Sequence, residues 1–205
     1  MSEEKSTYRT LKELSSGIYK EKGSKFIAFA SPCYSEEEAK ELLELWRKEH
    51  NQSRHLCYAY RLGFDKKIFR TNDDGEPNNS AGTPILGQIQ SFDLTNTLIG
   101  VVRYFGGTKL GVGGLVQAYK TAAKESIEAA EILEIEVFFH LNLEFNYDDM
   151  PGIMNLLKQR KISIATQSFK EFCWLEISVQ LNKLTEFEKL LKEFKSVICI
   201  NKGKY

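Results

Sequence analysis

The sequence predicts an α+β protein with two domains, residues 1–134 and 135–205. Some segments alternate apolar and polar residues with a period of two, which indicates strands, whereas others repeat with a helical period. The chain has 205 residues, enough for two compact domains. The pattern of apolar and polar residues changes after residue 134, which predicts a domain boundary there.

The first domain is predicted to mix strands and helices. The strands are residues 9–19, 24–31, 54–62, 67–71 and 98–105. Ser35 and Glu38 form a capping box for a helix over residues 36–49. Thr83 is a predicted N-cap, with Pro84 in the first helical position of a short second helix. The apolar face of a third helix runs along Leu115, Ala118, Tyr119, Ala122, Ser126, Ala129 and Leu133.

The second domain follows the order strand, helix, strand, strand, helix, strand. Its strands are residues 137–145, 161–169, 172–180 and 197–200. Asp148 or Asp149 is expected to cap the first helix, which carries the apolar residues Ile153, Leu156 and Leu157. This order of elements is that of a ferredoxin-like βαββαβ fold, which by itself implies no function.

The charges of the chain balance, with 28 lysines and arginines against 28 aspartates and glutamates. No global field draws such a protein to nucleic acid, so there is no DNA-specific signal and any RNA surface must be a local patch. We expect a cytoplasmic protein without membrane contact, because the sequence has no signal peptide and no apolar stretch of about 20 residues. The cysteines fit buried structural thiols in a reducing compartment: Cys33, Cys57, Cys173 and Cys199.

Residues 103–115, the glycine segment, place five glycines between an apolar strand and a helical pattern. The segment lacks the Gly-Lys-Ser/Thr ending of a P-loop and the glycine spacing of a dinucleotide-binding turn. It can still hold a phosphate, with Arg103 and Lys109 as cations and free N–H groups at the helix start. The residues expected to shape its backbone are Gly106, Gly107, Gly111 and Gly113. The alternative is a tight turn whose glycines only let helix and sheet pack closely.

A loop over residues 72–86, the acidic loop, carries carboxylates on Asp73, Asp74 and Glu76. Such a cluster can bind a divalent cation or serve in acid–base chemistry, but Asp-Gly-Glu-Pro is also ordinary turn chemistry. Because no second acidic cluster completes a metal site, we predict no metal. We also predict no cofactor and no catalytic residue, since the spacing supports no Ser-His-Asp or Cys-His arrangement. The carboxylates are then expected to hold the loop in place.

The strand over residues 54–62 places His55 and Arg61 on the same face. If Arg103 shares this face of the sheet, the three side chains form a basic patch. The alternative is that His55 is a hydrogen-bonded structural residue.

Four blocks of sequence resemble the Impact family, in its order and spacing. They are residues 54–61 (RHLCYAYR), 73–77 (DDGEP), 81–86 (AGTPIL) and 103–111 (RYFGGTKLG). The resemblance covers roughly residues 15–130. The remainder of the chain looks like the small C-terminal domain of bacterial members, which is similar in fold to the last domain of elongation factor G.

The resemblance implies a ribosomal protein S5 domain 2-like fold for the first domain, a fold also used by translation factors and some small-molecule kinases. Eukaryotic relatives regulate translation by competing for the activator of an initiation-factor kinase, helped by an extra N-terminal domain that we do not expect here. That partner is therefore not carried over. The chain also departs from the family pattern. Asn78, Asn79 and Ser80 stand where Ser-Gly-Thr is usual, and Thr83 and Gln117 each stand where many members have arginine. These departures predict weaker phosphate contacts.

We predict a non-enzymatic, translation-associated regulator that binds RNA or a ribonucleoprotein surface such as the ribosome. Two alternatives stay open. One is an enzyme acting on a phosphorylated small molecule, with Asp73, Asp74 or Glu76 as base or metal ligand. The other is a protein-docking module. The sequence leaves the oligomeric state open.

Overall fold

A computed structural model of the protein describes residues 6–204, with side chains described for residues 6–200. It confirms the α+β class. The chain divides into two compact units: Tyr8–Ile135, and the chain from Glu136 onwards together with residues 6 and 7. No helix in the described part of the chain is long and apolar enough to cross a membrane.

The first unit mixes strands and helices in the predicted order. Its strands are β1 Thr7–Leu11, β2 Ser15–Glu21, β3 Ser24–Pro32, β4 His55–Leu62, β5 Ile68–Asn72, β6 Thr97–Tyr104 and β7 Ile132–Glu136. Its helices are α1 Glu36–Glu49, α2 Gly82–Ser91 and α3 Gly111–Glu128. Helix α1 begins as predicted, because the hydroxyl of Ser35 accepts a hydrogen bond from the Glu38 N–H at 3.1 Å.

A five-stranded antiparallel sheet of order β2-β3-β6-β4-β5 forms the centre of the first unit. Strand β6 lies in the middle and is buried from Thr97 to Arg103. Helices α2 and α3 pack on one face of the sheet, and α1 covers the other face with Trp46. Burial on both faces explains why β6 is almost continuously apolar rather than alternating.

The ends of the first unit differ from the predicted elements. The predicted strand over residues 9–19 is two strands, and the third helix ends at Glu128, so Leu133 lies in β7 and Ala129 is exposed. Both differences have one cause, because β1 pairs with β7 in a separate two-stranded sheet. The chain must therefore break after β1 before it enters the large sheet as β2, and it must be extended again soon after α3.

The prediction that Thr83 caps α2 is wrong. The helix begins at Gly82 with Ala81 in the N-cap position, and no side chain at that position forms a capping hydrogen bond. The hydroxyl of Thr83 instead donates a hydrogen bond to Oδ1 of Asn79 at 3.0 Å. The cap of α2 comes from the acidic loop.

The second unit has a four-stranded antiparallel sheet of order β11-β8-β10-β9. Its elements are β8 Phe138–Phe145, a 3-10 turn Tyr147–Asp149, α4 Met150–Gln159, β9 Ser163–Phe169, β10 Cys173–Gln180, α5 Leu181–Leu191 and β11 Ile198–Lys204. Alternate residues of β8 and β10 are buried, as predicted, and share one core with α4 and α5. Asp149 stands at the N-cap of α4, but the predicted side-chain cap is wrong. Its carboxylate accepts hydrogen bonds from the N–H and hydroxyl of Ser196, at 3.0 and 2.6 Å.

Strand β2 lies directly against α3, and Gly17 makes this close approach possible. A Cβ atom at position 17 would stand 2.5 Å from the backbone nitrogen of Ser126 and 2.8 Å from the carbonyl carbon of Glu125. The hydroxyl of Ser15 donates a hydrogen bond to the carbonyl oxygen of Ser126 at 2.7 Å. Strand and helix are therefore closer together than a side chain at position 17 would allow.

We expect Gly17→Ala to destabilise the protein by about 1–3 kcal/mol, because the added methyl group meets backbone atoms that have little freedom to move. Gly87→Ala in α2 is the matched control, since a Cβ atom there meets nothing within 4 Å. This control should gain up to about 1 kcal/mol from helix propensity. Urea unfolding of both variants measures the difference. A Gly17→Ala protein as stable as the wild type would contradict this account of the contact.

Candidate anion-binding site

A cavity of about 480 Å³ lies where β4 begins and β6 ends. Its polar lining comes from Arg54, His55, Glu76, Arg103 and Lys109, and the rest of its lining from Pro77, Phe105, Leu110, Gly111, Val112 and Leu115. The cavity therefore brings together the start of a predicted strand, the acidic loop and the glycine segment.

Asp73 ties the acidic loop to α2. Its carboxylate accepts hydrogen bonds from the backbone N–H groups of Asn79, Ala81 and Gly82, at 2.8, 3.0 and 2.8 Å. Ala81 and Gly82 begin the helix, so Asp73 satisfies N–H groups that would otherwise have no partner. A capping residue normally stands beside its helix, which explains why the local pattern favours Thr83 instead.

Asp74 holds the same loop against β4 and α1. Its Oδ2 atom accepts hydrogen bonds from the Leu56 N–H and from NH2 of Arg47, both at 2.6 Å. Its backbone carbonyl oxygen lies 2.6 Å from Nδ1 of His55. Among the described residues, no group of three or more histidine, cysteine, aspartate or glutamate side chains is arranged to hold a metal ion.

Glu76 and Arg103 form an ion pair in the interior of the first unit. NH1 of Arg103 lies 2.6 Å from Oε1 of Glu76, and the two side chains are only 8% and 4% exposed. The hydroxyl of Tyr119, on α3, donates a hydrogen bond to the same Oε1 at 2.8 Å. The acidic loop, the central strand and α3 therefore meet at one carboxylate. Arg103, which we predicted as a phosphate ligand, has Glu76 as its charged partner.

Cys57 and Tyr119 extend this buried polar cluster. Sγ of Cys57 lies 3.0 Å from the carbonyl oxygen of Asp73 and 3.3 Å from the hydroxyl oxygen of Tyr119. Burial raises the pKa of the Cys57 thiol and of the Tyr119 hydroxyl above their ordinary values. Both groups are therefore neutral at physiological pH, and Cys57 has the character of a structural thiol rather than a nucleophile.

Arg103 also lines the cavity, and its guanidinium group is not fully partnered. Its Cζ atom lies 5.5 Å from the ring centre of Phe26 and 5.6 Å from that of Phe105, so the charge has two aromatic neighbours. Its Nε atom is buried and makes no hydrogen bond with the described residues. The residue as a whole is 7% exposed. A buried donor of Arg103 thus remains unsatisfied beside the cavity.

The predicted patch of His55, Arg61 and Arg103 forms only in part. His55 and Arg103 are direct register partners on β4 and β6. Arg61 pairs with Thr97 towards the other end of β4, where its Nε donates a hydrogen bond to the carbonyl oxygen of Leu94 at 2.5 Å. The expectation that Arg61 joins the patch is wrong, because about 20 Å of extended strand separates it from His55.

Arg54 is a cavity residue that sequence reasoning missed. Its side chain is exposed and lines the cavity. The available signal was its place directly before His55, in a block that resembles the Impact family. Lys109, which we predicted as a phosphate ligand, is also exposed and lines the cavity. Neither cation has an ion-pair partner among the described residues.

The glycines of the glycine segment differ in what the fold requires of them. Gly106 needs to be glycine, because a Cβ atom there would lie 1.9 Å from the carbonyl carbon of Gly23. Gly107 and Gly111 have φ values of +88° and +72°, which favour glycine. Gly113 has neither requirement, since it is helical and a Cβ atom would meet nothing within 4 Å. Close packing therefore accounts for Gly106 but not for Gly113.

The N-terminus of helix α3 lies at the cavity, and no acidic side chain in its first turn offsets its partial positive charge. Leu110 stands at its N-cap without a side-chain hydrogen bond, and the first turn has no acidic residue. Gly111 and Val112, in that first turn, line the cavity. The start of an 18-residue helix attracts anions through its free N–H groups and its dipole. With Arg54 and Lys109 beside it, the cavity is suited to an anion.

Arg103→Met is expected to destabilise the protein by about 3–5 kcal/mol, because it leaves the Glu76 carboxylate buried without its counter-charge. The double variant Arg103→Met with Glu76→Gln should recover most of this loss. Glutamine is uncharged, and its side-chain oxygen can still accept a hydrogen bond from Tyr119. Denaturant unfolding of the wild type, both single variants and the double variant measures the coupling. Additive losses would show that the two side chains do not act as a pair.

Comparison with known proteins agrees with the motifs. The Impact N-terminal domain family matches residues 22–127. The IMPACT family member YvyE of Bacillus subtilis is 30% identical over 187 residues, which cover 91% of this chain and 86% of YvyE. YigZ of Escherichia coli is 32% identical over 175 residues, with 84% and 86% covered. A crystal structure of a hypothetical protein is 29% identical with a TM-score of 0.69, covering 95% of this chain and 97% of that chain. The chain therefore belongs to the Impact family, as the resemblance predicted.

Proposed function

We propose that this protein is a translation-associated regulator that binds RNA, or an RNA-bearing surface, through the cavity beside α3. The observation that carries the proposal is the charge of the cavity. Arg54, Lys109 and the start of α3 are positive and uncompensated, whereas Glu76, the carboxylate among the described lining residues, is already paired with Arg103. The phosphate oxygens of RNA suit such a group of donors.

The apolar side of the cavity favours a nucleotide chain over a simple anion. Phe105 is 48% exposed and Val112 is 57% exposed, so both present apolar surface beside the cations. Aromatic rings beside a positively charged groove can stack on the bases of single-stranded RNA. A phosphate at the start of α3 and a base on Phe105 would together use both sides of the cavity.

A binding role is favoured over catalysis because the carboxylates of the acidic loop are engaged in the fold. Asp73 caps α2, Asp74 binds β4 and Arg47, and Glu76 is paired inside the unit. The alternative of an enzyme needs one of these groups as a free base or metal ligand. Its acid–base chemistry would therefore require the loop to leave its present contacts.

The link to translation rests on family membership, since eukaryotic members of the Impact family act as translational regulators. We also propose the finer fold names on this basis. The first unit is then S5 domain 2-like, and the order of elements in the second supports a ferredoxin-like domain. The division near Ile135 supports the boundary between domains of residues 1–134 and 135–205, although residues 6 and 7 group with the second unit. The free cysteines support a cytoplasmic location, although the prediction that all of them are buried is wrong for Cys199, which is exposed.

Arg54→Ala combined with Lys109→Ala should weaken RNA binding and reduce its salt dependence. For single strands, each phosphate contact contributes about 0.7 to the slope of log K against log salt, so losing two contacts lowers the slope by about 1.4. Fluorescence anisotropy with a labelled RNA of about ten nucleotides, repeated across salt concentrations, measures this slope. Arg103 is left unchanged, because its removal would destabilise the fold.

The matched control for this experiment is Lys120→Ala combined with Lys124→Ala. It removes the same charge from exposed positions of α3 that do not line the cavity. The control should keep the wild-type slope. If the variant with Arg54→Ala and Lys109→Ala binds RNA as tightly as the wild type, the proposed site is rejected. Absence of RNA binding, with co-purification of one protein partner, would favour a docking module instead.

Gly113→Ala is expected to stabilise the fold and yet weaken RNA binding. Alanine exceeds glycine in helix propensity by about 1 kcal/mol, and the methyl group meets no protein atom within 4 Å. The same methyl group would, however, stand on the first turn of α3, where we place a phosphate. Thermal unfolding and anisotropy measure the two effects, with Gly87→Ala as the control that should change stability alone. If Gly113→Ala binds RNA as well as the wild type, the phosphate does not approach this turn.

A further inference from the structure

The backbone of the acidic loop sets the tautomer of His55. Its Nδ1 atom lies 2.6 Å from the carbonyl oxygen of Asp74. A carbonyl oxygen can only accept, so Nδ1 carries the proton of the neutral ring and Nε2 keeps a lone pair. Gly75 lies against the same edge of the ring, because a Cβ atom there would be 3.5 Å from both Nδ1 and Cε1. The ring is therefore held in one orientation by two successive residues of the loop.

His55 lines the cavity, and Nε2 is its ring nitrogen that is not used by the acidic loop. Among the described residues, it has no hydrogen-bond partner. Apart from the carboxylate of Glu76, whose Oε1 is bound by Arg103 and Tyr119, the other polar groups available in the cavity are donors: the side chains of Arg54 and Lys109, the unsatisfied Nε of Arg103 and the first N–H groups of α3. In its neutral form His55 therefore adds an uncharged acceptor beside these donors, whereas the acceptor on Glu76 is a carboxylate already paired with Arg103. Phosphate oxygens cannot satisfy it, because they only accept.

We propose that Nε2 of His55 accepts a hydrogen bond from a ribose 2′-hydroxyl, so that the cavity prefers RNA to DNA. This inference rests on the proposed RNA binding and names the group that the site recognises. The 2′-hydroxyl is a donor close to the phosphate on the same nucleotide, and it distinguishes RNA from DNA at a given position. His55 and Arg103 are direct partners across β4 and β6, so the acceptor and a donor stand side by side.

Three labelled single strands of one sequence test this inference: RNA, DNA and 2′-fluoro RNA. Fluorine at the 2′ position keeps an RNA-like sugar conformation but cannot donate a hydrogen bond. We expect the wild-type protein to bind RNA about fivefold more tightly than either of the other strands, which is the effect of one hydrogen bond. Equal affinity for RNA and 2′-fluoro RNA would overturn the role of His55 while leaving RNA binding intact.

His55→Leu should bring the ratio of RNA affinity to 2′-fluoro affinity close to one, because it removes the acceptor. Arg54→Ala should weaken binding of all three strands by a similar factor and keep the ratio, since it removes a phosphate contact. A His55→Leu protein that keeps the fivefold ratio would overturn the inference.

Thermal unfolding shows whether His55→Leu is folded. If it is not, the comparison of RNA with 2′-fluoro RNA on the wild-type protein decides the question by itself. If none of the three oligonucleotides binds in a salt-dependent way, the proposed RNA-binding function is rejected, and the inference is rejected with it. Binding of RNA without preference over 2′-fluoro RNA would reject the inference alone.

Discussion

The buried ion pair between Glu76 and Arg103 is the contact on which the rest of the first unit depends. It joins the acidic loop to the central strand of the sheet, and Tyr119 adds α3 to the same carboxylate. Burying a charge costs free energy unless a partner replaces its hydration. Glu76 and Arg103 can therefore be buried only when the loop is closed over the sheet. The closed loop then forms one wall of the cavity and carries the cap of α2.

Contacts within one element were predictable from the sequence, whereas contacts between distant segments were not. The alternation in β8 and the cap at Ser35 depend on neighbouring residues, and both are seen in the structure. The cap of α2 comes instead from Asp73 in the preceding loop, and Arg61 is engaged by the carbonyl of Leu94. No local pattern reveals such partners. The same limit applies to the site, where the cavity includes Arg54 only because β4 and the glycine segment meet in the fold.

The ion pair also changes how the glycine segment is understood. Because Glu76 offsets the charge of Arg103, the positive character of the cavity comes from Arg54, Lys109 and the start of α3. Arg103 and Gly106 are positions that the fold itself requires, whereas Lys109 and Gly113 have no such role within the described residues. One short block of sequence therefore serves two purposes, and the blocks that identify the family include structural as well as candidate ligand-binding residues.

Four consecutive residues of the acidic loop each contact a different part of the first unit. Asp73 binds the start of α2, Asp74 binds β4 and α1, Gly75 lies against His55, and Glu76 binds β6 and α3. Most surface loops accept inserted residues because their backbone has few such contacts. Here an insertion or deletion of a single residue would displace every contact beyond it. The length of this loop is therefore fixed, and epitope tags, fluorescent inserts and new chain termini belong elsewhere in the protein.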